Sequence, residues 1–363
     1  MRVLHAFKDY YPPTPGGVEL YIHEVVHSLK GFQFAVLTSS RSKKRVVDHD
    51  EGVRVIRSAE KMRPASTPVT PEWKRFFSEA GADLLHFHMP HPYGELAFLR
   101  SKATYPMIAH YHADIVGRGM AFKFFKPFQQ KFLSRASRII VGSPRLIETS
   151  EALQPHRERA VVIPYGVDPA EWAERPEEAD ELRQRFPGPL VVFLGRLAYY
   201  KGIDVLIEAM RTVDATCLIV GDGPKRKEIE DQIATLHLRH KVVLVGAVEG
   251  SRRQTYLHAA DVFVLPATSR AESFGIAMLQ AMACGTPAIS TEVGTGTSWV
   301  NQHESTGLVV EPGDKTALAV ALKTILFDRD KREAMGVAAM DRVRDHFTKF
   351  NMLESLATLY SSL

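Results

Sequence analysis

The chain is poor in cysteine: Cys217 and Cys284 are the only two in 363 residues, and both sit in apolar, core-like runs. That is not the composition of a disulfide-stapled secreted fold, and a reducing, cytosolic setting is expected. Apolar runs of about 18 residues are lacking, so no membrane-spanning helix is expected. Nor does an apolar leader core follow Met1, where the strand-like RVLHAF begins at once. Low-complexity segments and repeats are missing too. The turn VGDGPKRKEIE (220–230) starts like a dinucleotide fingerprint, but Lys225-Arg226 stand where its third glycine is due, which disfavours a nicotinamide cofactor. No signal for a lysine-bound pyridoxal group is visible, so a phosphorylase-like role is disfavoured as well.

The length is too great for one ordinary core and indicates two domains. The formal net charge is +4, unevenly spread. Residues 1–170 hold 24 Lys+Arg against 16 Asp+Glu, and residues 171–363 hold 22 against 26. The basic first half suits an anionic substrate or membrane surface. Nucleic acid is the weaker partner, because no binding motif accompanies the charge.

Short continuous apolar runs alternate with helical patterns in both halves. In the first they are RVLHAF (2–7), FQFAVLTSS (32–40), VRVIRS (53–58), DLLHFHM (83–89), PMIAHYH (106–112), SRIIVGS (137–143) and AVVIPYG (160–166). The pattern restarts at LVVFLGRL (190–197) and continues through ATCLIVGDG, KVVLVGAV, DVFVLPA, TPAIS and TGLVVE. Such strands belong to parallel sheets covered on both faces. The fold class is therefore α/β, with two doubly wound domains joined by a polar, Pro-rich linker at 168–189. Ligands of such sheets bind at the carboxyl ends of the strands.

Four loops at predicted strand ends have the groups that a phosphorylated sugar needs. Pro15-Gly16-Gly17 precedes a helix start that favours phosphate or sugar, although a plain turn explains it as well. In GRLAYYKG (195–202), Arg196 and Lys201 suit a diphosphate, one as a planar fork and one as a mobile point charge. Gly221 and Gly223 shape the third loop. The fourth is AESFGIAMLQAMACGTPAIST (271–291), where Glu272 precedes Ser273, Phe274 and Gly275 and then a helix over 276–283 that begins with Ile276. A carboxylate beside an anion-binding helix start fits a ligand with both hydroxyls and phosphate. His112, at the end of PMIAHYH, is the first half's candidate for catalysis, with Asp114 two residues on; a satisfied structural histidine is the alternative.

Two sets invite a metal reading. His86, His88 and His91 have no acidic or cysteine partner at ligand spacing and are taken as cleft or core residues. Asp48-His49-Asp50 is assigned to a charged loop remote from any phosphate signal. No metal is expected. From Arg118 to Arg138 aromatics interleave with cations: Phe122, Phe125, Phe128 or Gln129, Phe132 and Ala136 follow helical spacing, with Lys123, Lys126 and Lys131 between them. Pro127 is expected to start the regular helix. The segment suits both a bilayer interface and a domain core.

Taken in order, Pro15-Gly16-Gly17, YHAD (111–114), GRLAYYKG, VGDGP, ESFGIAMLQAMACGTP and TGLVVEPGD resemble the retaining glycosyltransferases of family 4, over essentially the whole chain. The resemblance implies a GT-B fold, two facing Rossmann-like domains with the last helix crossing back to the first. It places an acceptor domain at 1–170, joined by a helix at about 347–363, and a donor domain at 171–346. It implies a nucleoside-diphosphate sugar donor, a saccharide or lipid-linked acceptor, and no cofactor or metal. Arg196 and Lys201 would grip the diphosphate, Glu272 the sugar hydroxyls, the backbone of Phe274 to Ile276 sugar and phosphate, and His112 the reacting centre. Where the family pattern has a second Glu for the ribose, this chain has Gln280, which keeps an acceptor but loses the charge. TEVGTGTSWVNQ (291–302), HMPHP and YHADIV resemble the mannosyl- and rhamnosyl-transferring branch of bacterial surface polysaccharide synthesis, with GDP-mannose the first choice of donor and UDP-hexoses the second. The expected place is cytoplasmic, peripheral at the inner face of the plasma membrane. A nucleotide-sugar epimerase on the same fold and a non-catalytic nucleotide-sugar binder are the alternatives.

Overall fold

Among the described residues, fourteen short strands carry the architecture. The computed structural model describes residues 1–363 apart from positions 15, 43, 65, 66 and 118, and only the backbone of 120–122. It forms two compact units, residues 1–164 with 352–363, and residues 165–351.

In the first unit β1 (Arg2–Ala6), β2 (Gln33–Ser40), β3 (Val46–Asp50), β4 (Val53–Ala59), β5 (Leu84–Met89), β6 (Met107–Tyr111), β7 (Arg138–Val141) and β8 (Ala160–Val162) make one sheet, ordered β3-β4-β2-β1-β5-β6-β7-β8. Its pairs are parallel except β3 with β4. Apolar side chains from the strands meet Trp73, Phe77, Phe98 and Phe132 of the covering helices in a closed core. Burial on both faces explains why these strands read as unbroken apolar runs.

The second unit holds β9 (Leu190–Leu194), β10 (Thr216–Val220), β11 (Val242–Gly246), β12 (Val262–Leu265), β13 (Ala288–Thr291) and β14 (Gly307–Val310), all parallel and ordered β11-β10-β9-β12-β13-β14. The strand order therefore reverses between β9 and β12. In a doubly wound sheet that point opens a crevice for ligand at the strands' carboxyl ends. In the first sheet the reversal falls between β1 and β5.

Three expectations are corrected. Asp48-His49-Asp50 is not a loop but most of the edge strand β3, antiparallel to β4. Glu51 and Gly52 turn the chain between them with φ of 47° and 92°, the left-handed geometry of a tight hairpin. Pro127 does not start its helix, which runs from Gly119 to Arg135 with Pro127 inside. Proline at that point has no N–H to give the helix, which continues past it without that one hydrogen bond. Residues 168–189 are not a bare linker: helices Pro169–Ala173 and Glu177–Arg185 fill most of them, with Trp172 and Ala179 buried and Arg183 paired to Asp261 at 2.9 Å.

Candidate functional site

The switch point of the second sheet is flanked by the loops after β9 and β12. The first loop ends at Gly202, whose φ of 64° is left-handed and where a Cβ would lie 1.9 Å from the carbonyl oxygen of Pro266. Only glycine fits, and its fit lets the loop dock on the β12 side, where Thr268 N–H donates to the Tyr200 carbonyl at 2.9 Å. Docking carries Lys201 onto Glu272, and the two form a largely buried ion pair. Burial pulls the Lys201 ammonium toward neutrality, but Glu272 and Tyr200 outweigh it, and its pKa stands above the ordinary lysine value. Arg196 is exposed on the same loop. Its charge reaches the Tyr200 hydroxyl together with those of Lys201 and Glu272, so all three share one electrostatic neighbourhood.

Beyond Glu272 the chain is braced from below. Thr295 Oγ1 donates to the Glu272 carbonyl at 2.7 Å, Thr291 Oγ1 to that of Ala267 at 2.6 Å, and Gly296 N–H to that of Ser273 at 2.7 Å. The run TEVGTGT thus holds the Glu272 loop. Phe274 is buried with its ring 4.9 Å from that of Tyr165 and 5.9 Å from that of Phe347. Gly275, at φ 86°, turns the chain into the helix Ile276–Ala283, on which Gln280 is half-buried. Gly221 and Gly223 sit where a Cβ would lie 1.9 Å from the Gly195 carbonyl oxygen and 2.5 Å from that of Leu197. Their missing side chains therefore serve first the packing of the loops after β9 and β10.

In the first unit Gly16 precedes the helix Gly17–Ser28, while Pro15 lies outside the described residues. The buried Glu19 folds back over Gly16, its carboxylate 2.0 Å from where a Cβ would stand. A carboxylate already complements this helix start, which then suits a hydroxyl-bearing ligand better than a phosphate. His112 is buried, and its Nε2 lies 2.8 Å from His88 Nδ1. Asp114 accepts from Tyr111 at 2.8 Å and from Ser150 at 2.6 Å. His86, His88 and His91 are all buried in the core.

Among the described residues, three sets bring metal-capable atoms together. His5, His86, His88, His110 and His112 form two of them, and their ring nitrogens meet one another and the Tyr360 hydroxyl. The third is His23 and His27, one helical turn apart, at 3.5 and 3.6 Å from the Asp50 carboxylate.

In the segment 118–138, Arg118 and the Phe122 side chain lie outside the described residues. Phe132, Ala136 and Gln129 are buried, whereas Phe124 and Phe128 are 76% and 45% exposed beside the exposed Lys123, Lys126 and Lys131. The aromatic stripe is thus divided between core and solvent. Among the described residues no helix is long and apolar enough to cross a membrane.

Tyr165, Tyr200, Glu19 and Thr295 join the site beyond the residues that the sequence pointed to. Tyr200 stands beside Lys201 and was within reach; the bracing by Thr295 spans 23 residues and leaves no local signal.

The family profile "Glycosyl transferases group 1" matches residues 174–342, and "Glycosyltransferase Family 4" matches residues 15–171. The chain is 33% identical to D-rhamnosyltransferase WbpZ of Pseudomonas aeruginosa over 96% of its own length and 92% of the relative's. It is 29% identical to O-antigen chain mannosyltransferase C of Escherichia coli, covering 100% and 99%. Among solved structures, sucrose-phosphate synthase from Thermosynechococcus elongatus superposes with a TM-score of 0.85 at 22% identity, covering 99% of this chain and 98% of that one. Anabaena HepE in complex with UDP-glucose does so at 0.81 and 21%, covering 100% of both. These likenesses identify the fold as GT-B.

Proposed function

This chain belongs to the glycosyltransferases of group 1 and family 4, and on that premise we propose that it moves mannose from GDP-mannose to a saccharide or lipid-linked acceptor, with retention and without a metal. The observation that carries the reading is the buried Lys201–Glu272 pair beside Arg196 at the switch point of the second sheet. Lys201 has three N–H donors, so it can keep Glu272 and still meet a phosphate oxygen. With Arg196 it offsets the charge that grows on the departing nucleotide, a stabilisation that is strongest where water is excluded. Glu272 accepts from hydroxyls of the transferred sugar. Ser273, the backbone N–H groups of Phe274 to Ile276 and the helix start after Gly275 hold sugar and phosphate, and Gln280 meets the ribose. His112 contributes at the reacting centre, and at the helix start of Gly16 and Gly17 the sugar meets the Glu19 carboxylate that lies over Gly16. Front-face attack, with the leaving phosphate helping to deprotonate the acceptor, needs no protein nucleophile.

The relatives' names support the sugar and the pathway: one is a D-rhamnosyltransferase and another an O-antigen chain mannosyltransferase. The test is a panel of GDP-, UDP- and dTDP-sugars with saccharide and lipid-linked acceptors, read as product and as its anomeric configuration. Transfer from GDP-mannose with an α-product is expected, unchanged by EDTA. An inverted product, or activity that EDTA removes and a divalent ion restores, would refute that part of the reading. Gln280→Glu is expected to remain active.

The exposed Phe124 and Phe128, one helical turn apart, support docking on an anionic membrane at the cytoplasmic face, with the lysines meeting headgroups. Anionic liposomes should sediment the protein in low salt, and Lys123→Glu, Lys126→Glu and Lys131→Glu together should weaken this. Absence of wild-type binding in low salt would remove the membrane from the account.

A further inference from the structure

Five buried histidines and one tyrosine of the first unit lie in two rows. In one, His112 Nε2 meets His88 Nδ1 at 2.8 Å, and His88 Nε2 meets His5 Nδ1 at 3.0 Å. In the other, the Tyr360 hydroxyl meets His86 Nδ1 at 2.5 Å, and His86 Nε2 meets His110 Nδ1 at 3.1 Å. Tyr360, near the end of the C-terminal helix, joins the rows through His5 Nε2 at 3.4 Å. Linked rings lie edge to edge, with centroids 5.1–5.3 Å apart and planes within 25° of parallel. The rows stack face to face, His86 on His88 at 4.4 Å and His110 on His112 at 4.0 Å. Lone pairs in this arrangement point along the rows at the next ring; they do not converge on a common point, as ligands of one metal ion must.

Proton counting makes the chain directional. Its order is His112, His88, His5, Tyr360, His86, His110, with five links. Each link needs one proton. Burial keeps the five imidazoles neutral by pulling their pKa values far down, so each has a single N–H. The four inner members supply four link protons, and one end must supply the fifth. Two arrangements result: every ring protonated on Nε2, or every ring on Nδ1. Any mixture leaves two lone pairs, or two protons, facing each other in the core, and buried polar groups left unpaired are costly. Tyr360 selects between the two. Its 2.5 Å contact to His86 Nδ1 suits a donated O–H, because N–H···O bonds are rarely so short. The longer contact to His5 is then the one it accepts.

We propose that these six groups act as one hydrogen-bonded relay, and that Tyr360, as a positioning residue, fixes the proton of His112 on Nε2 and leaves its Nδ1 an acceptor. A sugar hydroxyl that meets Nδ1 must then donate; this consequence for transfer rests on the hexosyltransferase reading above. The side chain that decides it comes from the far end of the chain, in the helix that returns to the first unit at Met352.

The experiment is nitrogen NMR of the full-length protein labelled with 15N-histidine, with His112 assigned by loss of its signals in His112→Asn. All five rings are expected to be protonated on Nε2 and unprotonated on Nδ1. Tyr360→Phe keeps the ring and removes the hydroxyl; it should shift the His112 signals and lower kcat while leaving the donor KM unchanged. Mixed tautomers in the wild type, Nδ1 protonation of His112, unchanged His112 signals in Tyr360→Phe, or zinc bound to these rings would overturn the proposal. The wild-type spectrum decides even if the variant fails to fold. A wild-type protein that transfers no sugar would sink the hexosyltransferase reading and leave the tautomers to be judged separately.

Discussion

Lys201→Ala is expected to lower sugar transfer by on the order of 10²–10³-fold, the usual cost of losing one preorganised group that meets transition-state charge. The loss should fall on donor binding as well as on kcat, because in the proposed role the ammonium would meet phosphate in both ground and transition state. The variant also strips Glu272 of its partner in a largely buried setting. Breaking a buried pair by removing one side costs about 3–5 kcal/mol, mostly from the stranded charge. Melting temperature must therefore be read beside activity. Lys201→Ala with Glu272→Gln removes both charges, and it should recover stability and not recover transfer. Recovery of transfer in the double variant would assign the pair a structural role only.

The second large effect is acid lability confined to the first unit. Six histidines there, His5, His86, His88, His91, His110 and His112, are held neutral by burial, His5 down to about 3. Their folded pKa values are depressed below the ordinary value of 6.5, so the unfolded chain takes up the protons. Their contribution to stability is present above pH 6.5 and is lost as pH falls below it. Glu95 works the other way: burial raises its carboxyl to about 8, so falling pH relieves a cost between pH 8 and the ordinary carboxyl range. Each proton difference is worth about 1.4 kcal/mol per pH unit, and six against one give on the order of 6 kcal/mol per unit near pH 5.5. A domain stable by about 5–15 kcal/mol would be lost within roughly two units below neutral. Calorimetry from pH 7.5 to 5 should show the first unit's transition falling steeply while that of the second moves little. Parallel movement of both would contradict the assignment.

Much of this was legible before any coordinates. The strands were, because a strand buried on both faces must be apolar at every position, and runs such as LVVFL and RIIV have no other economical reading. The helix after Phe274-Gly275 was legible from Gly275 and the pattern that follows it. The edge strand Val46–Asp50 was not, since an exposed edge tolerates Asp-His-Asp, though Glu51-Gly52 marked its turn. The helix through Pro127 defied a rule that holds only on average. At the site, the loops themselves pointed Arg196 and Lys201 at a diphosphate and Glu272 at a ligand with hydroxyls and phosphate, and resemblance to a family gave the finer roles. The direct pairing of Lys201 with Glu272 came from Gly202 closing on Pro266, a contact between loops far apart in the chain. Least legible was the histidine relay, where Tyr360 meets a ring 274 positions away. No local pattern announces such a partner.

The central claim is that the loops after β9 and β12 form a donor site organised by Lys201. Titration calorimetry of GDP-mannose and UDP-hexoses into the wild type and Lys201→Ala, both verified as folded, tests it without needing an acceptor. At least one nucleotide sugar should bind the wild type and weaken by about 100-fold or more in the variant, the scale of a lost charge-assisted contact. Equal affinity in the two proteins would contradict the account.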